Sequence, residues 1–185
     1  MTKLIQSLTS FGIACAVQPW VAQDPVVHVL VQMPLLVLAG VLWPLPHVKL
    51  PQDLIGPILI LWLVTLIMWM MPRSVDAALT QWVGHFAKFV TLPILLGLPL
   101  RLTWPSIGPL FRGFLRAQAI SMLLLLSFLY THAPVRICNS YLVSDQYRLG
   151  LGFAWVAGAL VIIWLIPVFT GHTLSHRKGV TDDLC

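Results

Sequence analysis

Long apolar segments separated by short polar ones constrain this chain more than any other feature of its sequence. Five of them run over residues 26–43, 54–71, 82–100, 117–130 and 151–169. Crossing the hydrocarbon core of a bilayer takes about 20 apolar residues in a helix, so each segment is a candidate span. Only 9% of the residues are charged, whereas about 25% are charged in a typical soluble domain. The sequence therefore predicts an integral membrane protein and excludes an ordinary soluble fold.

The predicted fold is all-α, an integral membrane helical bundle of five or six transmembrane helices. No polar stretch is long enough to form a separate soluble domain, so residues 1–185 are predicted to form a single membrane domain. Within it, residues 1–22 form a short first span or an interfacial helix, because polar side chains interrupt their apolar run. Residues 23–171 form the helical bundle, and residues 172–185 form a cytoplasmic tail.

The basic residues fall unequally on the two sides of the predicted spans. One side holds Lys49, Arg101, Arg112, Arg116, Arg177 and Lys178, and the other holds Arg73, Arg136 and Arg148. Loops that face the cytoplasm carry the excess of Lys and Arg. The C-terminus is therefore predicted to be cytoplasmic, in a multi-pass protein of a bacterial-type inner (plasma) membrane. No nucleic-acid partner is predicted, because the basic residues are not massed on one water-facing surface.

Three polar residues occur at intervals of four at the beginning of the span 26–43: Asp24 just before it, and His28 and Gln32 within it. This spacing places them on one face of a helix. The Asp24 carboxylate could then orient the His28 imidazole, whose other nitrogen binds a metal or donates a proton. Met33 adds a thioether one residue further on. In the alternative interpretation, Asp24 only caps the helix and His28 hydrogen-bonds a neighbouring helix.

The residues that follow resemble a known family. His28 and Gln32 precede the run PLLVL at positions 34–38, with Gly40 beyond it. This pattern resembles the early helix of CtaG-type membrane proteins, which are associated with assembly of copper-containing cytochrome oxidases. The resemblance covers about residues 24–40. It implies copper as the cofactor, and membrane subunits of an oxidase-type complex as partners beside the lipid bilayer.

A second polar stripe lies in the span 82–100. His85 and Lys88 are about one helical turn apart, and Gln81 lies four residues before His85. His85 is predicted to face His28 across the bundle and to supply a second imidazole ligand. In the alternative interpretation Lys88, about 9 Å deep at 1.5 Å per residue, only extends its flexible side chain to the outer surface.

The outer loop between the last two spans is the most polar part of the chain. His132 and Cys138 could bind copper there, since imidazole and soft thiolate ligands suit this metal. Five further residues are predicted to contact a partner: Arg136, Asn139, Tyr141, Asp145 and Arg148. In the alternative interpretation the loop is a self-contained lid, in which the two arginines pair with Asp145.

The sequence contains no motif for covalent haem, nucleotide phosphates or a serine-hydrolase elbow. The predicted function is that of a non-enzymatic membrane accessory protein of a copper-dependent respiratory or oxidase system, acting in metal delivery or assembly at the outer face. Two alternatives stay open. One is a structural accessory subunit of a larger membrane complex that binds no metal. The other is a small haem b protein that uses two of His28, His85 and His132.

Overall fold

The computed structural model describes residues 2–21, 23–45, 50–133 and 142–169. This part of the chain is helical and contains no strand, which confirms the all-α class. The predicted tail and residues 134–141 of the polar outer loop lie outside the described residues. The same holds for four predicted site residues: Arg136, Cys138, Asn139 and Tyr141.

The described helices are named here in chain order. They are α1 (Thr2–Ala16), α2 (Gln18–Val21), α3 (Val27–Leu42), α4 (Gln52–Met70), α5 (Pro72–Thr80), α6 (Trp82–Thr103), α7 (Pro109–His132) and α8 (Val143–Phe169). Proline begins α5 and α7, where its missing N–H removes no intrahelical bond. Before α3, the Asp24 carboxylate accepts a hydrogen bond from the Val26 N–H at 2.9 Å. This is the usual role of an aspartate at a helix start.

Four helices are long and apolar enough to cross a membrane: Gln52–Met70, Trp82–Thr103, Pro109–His132 and Val143–Ile166. They correspond to four of the five strong predicted spans, as expected for a multi-pass membrane protein. The remaining apolar helix, Val27–Leu42, is shorter. The predicted count of five or six spans is therefore confirmed only for these four.

The N-terminal helix α1 runs antiparallel to α3 and is part of the bundle. The Ser7 hydroxyl donates to the Ala39 carbonyl at 2.7 Å, and the Ser10 hydroxyl donates to the Leu35 carbonyl at 2.8 Å. Both serines are buried. Hydrogen bonds of this kind join helices in an apolar environment, where a hydroxyl has no water to bind.

Two segments of six residues are wound as π-helix, Val27–Gln32 in α3 and Leu92–Gly97 in α6. The N–H that follows each segment donates to the carbonyl five residues before it. A proline stands two positions after each segment, Pro34 in α3 and Pro99 in α6. A proline ring clashes with the carbonyl four residues before it. The wider π turn accommodates that clash within a continuous helix.

Helices α3 and α6 touch at two glycines. A Cβ atom on Gly40 would overlap the Pro93 carbonyl oxygen and lie 2.9 Å from the Gly97 Cα, and a Cβ on Gly97 would lie 2.7 Å from the Gly40 Cα. Small residues allow membrane helices to approach this closely. The apolar core continues beside the contact through Leu36 and Trp69. The contact therefore sets the distance between α3, which carries His28 and Gln32, and α6, which carries Lys88.

Helices α7 and α8 form an antiparallel hairpin. A Cβ on Gly150 would lie 2.7 Å from the Thr131 Cγ2 atom, so the helices are close where the hairpin begins. The hairpin meets the rest of the bundle at the start of α3, where the Arg148 guanidinium pairs with the Asp24 carboxylate at 3.3 Å. A surface ion pair of this kind contributes little stability, of the order of 0–1 kcal/mol.

Candidate functional site

Four polar side chains meet inside the bundle, and we call them the polar centre: Gln18, His28, Gln32 and Lys88. The last three are each 0% exposed. The Lys88 ammonium donates to the Gln32 side-chain oxygen at 2.7 Å and lies 3.4 Å from His28 Nε2. The Gln32 amide nitrogen donates to the Gln18 side-chain oxygen at 2.7 Å and to the Ala14 carbonyl at 2.9 Å. The polar centre thus joins α1, α2, α3 and α6.

Gln32 is the hub of this network. A carboxamide has two N–H donors and one acceptor oxygen, and all three are used: the oxygen by Lys88 and the nitrogen by α1 and α2. If Lys88 donates to His28 Nε2 as well, the imidazole carries its proton on Nδ1. His28 and Gln32 lie in the same π-helical segment of α3, and both side chains contact Lys88.

The groups that contact the Lys88 ammonium are neutral. In the described ranges Lys88 makes no ion pair, and its ammonium lies 5.2 Å from the centroid of the Phe89 ring. An ammonium in a membrane interior is costly unless it has partners. The Gln32 oxygen, the His28 nitrogen and the ring face together offset that cost.

The prediction that Lys88 extends to the outer surface is wrong, since its side chain is fully buried. The prediction considered α6 alone, where a long flexible side chain can leave the hydrocarbon. In the bundle, α3 packs along α6. The nearest acceptors are then Gln32 and His28, which lie inside the protein.

The predicted shared face of His28 and Gln32 is confirmed, because both contact Lys88. The capping interpretation of Asp24 is also confirmed: one carboxylate oxygen accepts the Val26 N–H and the other pairs with Arg148. The structure thus places Asp24 at the junction of α3 and α8.

The predicted second histidine lies beside the polar centre. His85 is half-buried on α6, one turn before Lys88, and its ring centroid lies 5.1 Å from that of Phe89. Lys88, one turn further along α6, lies 3.4 Å from His28 Nε2. Sequence reasoning did not predict this pairing of Lys88 with His28.

Two other predicted copper ligands lie apart from the polar centre. Met33 is buried in the apolar core with Leu36 and Trp69. His132 is exposed at the end of α7, where its ring stacks on Phe128 with centroids 4.4 Å apart.

The predicted partner-binding loop is described at its α8 end. There Arg148 lies 3.3 Å from the Asp24 carboxylate and 3.9 Å from that of Asp145. The pairing of Arg148 with Asp145 is the one expected for a lid. Partner binding by the loop stays a prediction, because its other predicted residues lie outside the described ranges.

Within the described residues no three His, Cys, Asp or Glu side chains come together as a metal-binding group. At His28, an ammonium competes for the Nε2 lone pair that a copper ion would need. Cys138 lies outside the described ranges, so copper binding stays a prediction.

We compared the chain with known proteins. No family model, no curated protein and no solved structure matches it.

Proposed function

We propose that the protein is a non-enzymatic accessory subunit of a larger membrane complex, in which its helices pack against other membrane subunits. The observation that carries this proposal is the closure of the polar centre. Its buried members His28, Gln32 and Lys88 are hydrogen-bonded or in contact with one another and are 0% exposed. A group that handles a substrate must be reachable, whereas these groups hold α1, α2, α3 and α6 together.

The outer faces of α4 and α7 support the same proposal. Leu61 and Val64 on α4 are 48% and 58% exposed, and Leu125 and Phe128 on α7 are each 61% exposed. Apolar faces of membrane helices pack against lipid or against other helices. In an accessory subunit, these faces are the surfaces that a partner helix covers.

The identity of the complex is part of this proposal. The CtaG-type resemblance suggests an oxidase-type complex as the partner. We further propose that the protein lies in a bacterial-type inner membrane with five or six spans and a cytoplasmic C-terminus. The outer loop, with Arg136 and Tyr141, would then contact a partner on the opposite side.

A photo-reactive amino acid on the outer faces tests the proposal. Placed singly at Leu61, Val64, Leu125 or Phe128 in the full chain, it is expected to form an adduct with the same membrane subunit from at least two positions. Irradiation in native membranes and mass spectrometry of the adducts provide the measurement. Phe153, which is buried between α7 and α8, is the matched control and should give no intermolecular adduct. Adducts with lipid alone at all four exposed positions would contradict an accessory role.

Copper delivery at the outer face is a second candidate, favoured by the position of His85 one turn from the residue that contacts His28. A copper site predicts about one copper per chain in protein purified without chelators, and loss of that copper in His28→Ala but not in the exposed control His132→Ala. Elemental analysis with an optical spectrum measures both variants. Copper that is retained in His28→Ala would contradict this ligand, a Soret band would indicate haem b, and neither signal would favour the structural subunit.

A further inference from the structure

A compact basic surface lies at the end of the bundle opposite Asp24. We call it the arginine–indole surface, and its members are Trp104, Arg112, Arg116 and Trp164. The guanidinium carbons of Arg112 and Arg116 lie 5.7 and 5.9 Å from the Trp104 ring centroid, and that of Arg116 lies 5.7 Å from the Trp164 ring centroid. The two arginines are one turn apart on α7, so their guanidinium groups project from one face.

The two guanidinium groups retain unused donors. Arg112 donates to the Pro105 carbonyl at 3.3 Å, but its buried Nε has no acceptor in the described part of the chain. Arg116 makes no hydrogen bond and no ion pair to any described residue. Arg101 is different, because it donates to the carbonyls of Val41 and Leu45 at 3.4 and 3.3 Å. The arginine–indole surface therefore presents two cations that no described acidic group neutralises.

An apolar groove begins beside these arginines. It lies between α4 and α7, has a volume of about 480 Å³, and is lined by side chains that include Leu63, Phe111 and Leu115. Phe111 precedes Arg112 in the sequence, and Leu115 precedes Arg116. The groove thus starts near the end of α7 that carries the two cations and continues along the apolar part of the helix.

We propose that the arginine–indole surface binds the phosphate headgroup of an anionic phospholipid, one of whose acyl chains lies in the groove between α4 and α7. Guanidinium groups bind phosphate through paired N–H donors. Basic sites at the ends of membrane helices attract anionic headgroups, and indole rings favour the headgroup level. The two cations, the two indoles and the apolar groove together match an amphipathic anion better than a soluble one.

Native mass spectrometry tests this proposal on the full chain in detergent, with phosphatidylglycerol and phosphatidylcholine added in equal amounts. The wild type is expected to retain phosphatidylglycerol preferentially. R112Q/R116Q is expected to bind phosphatidylglycerol about 25-fold more weakly, because each arginine near a membrane surface contributes about fivefold to the affinity. The matched control K3Q/R73Q removes two exposed cations elsewhere and should bind like the wild type.

Further arms of the experiment distinguish the source of the anion. Inorganic phosphate at millimolar concentration should not displace phosphatidylglycerol, whereas full displacement would overturn the lipid assignment in favour of a soluble anion. Equal retention by R112Q/R116Q and by the wild type would also overturn it. So would loss of a co-purifying membrane protein in R112Q/R116Q without any change in bound lipid. Circular dichroism of each variant verifies that the helical fold is intact.

Discussion

Replacing Gln32 by leucine is expected to lower the free energy of unfolding by about 3 kcal/mol, because it leaves the buried Lys88 ammonium without its closest acceptor. The same change removes the links from α3 to Gln18 and to the Ala14 carbonyl. Unfolding of the protein in mixed micelles by added SDS, followed by circular dichroism, measures this loss. The exposed Gln118 on α7 is the matched control, and Q118L should change the free energy by less than about 0.5 kcal/mol.

A double-mutant cycle shows whether the charge of Lys88 causes the loss. K88M alone leaves only neutral acceptors unpaired and should lower the free energy of unfolding by about 1–2 kcal/mol. Q32L/K88M removes the buried cation together with its acceptor, so the double variant should be more stable than Q32L alone. Additive losses in the double variant would show that Gln32 and Lys88 act independently, contrary to the geometry of the polar centre.

Replacing Gly97 by alanine is the second change with a large expected effect, about 3 kcal/mol of lost stability. Its Cβ would overlap the Val37 carbonyl oxygen and lie 2.7 Å from the Gly40 Cα. Backbone atoms cannot rotate away as a side chain can, so α3 and α6 must separate. The SDS unfolding measurement applies here as well.

The control for this change is Gly113, which lies inside α7 with open space around it. Alanine is the better helix former, so G113A should raise stability by up to about 1 kcal/mol. Opposite signs for G97A and G113A would locate the effect at the helix contact. Stabilisation by G97A would show that α3 and α6 are not in contact through their backbones.

The spans are predictable from the sequence because apolar length is a local property. Residues 54–71 are predicted as a span, and the helix observed is Gln52–Met70. The predicted ends of the segment 117–130 are less accurate, since the observed helix is Pro109–His132. Arg112 and Arg116 end the apolar run without ending the helix, because backbone hydrogen bonding continues through charged residues.

Half of the polar centre is predictable in the same way. His28 and Gln32 share a face because they are four residues apart, and that follows from the sequence alone. The position of Lys88 does not follow from the sequence, because the face of α6 that meets α3 depends on the backbone contact between Gly40 and Gly97. Gln18 was missed for a related reason: it lies on a separate short helix whose direction is set by the turn at Val17.

The two π-helical segments have a consequence for how the length of this chain can vary. A π turn holds about one residue more than an α turn. In an ordinary α-helix, deleting one residue would rotate everything beyond it by about 100°. Loss of one residue within Val27–Gln32 or Leu92–Gly97 is instead absorbed as a return to α winding, provided that the proline that follows the segment, Pro34 or Pro99, is replaced as well. These segments are therefore the places where related chains could differ by one residue while keeping the faces of α3 and α6 aligned.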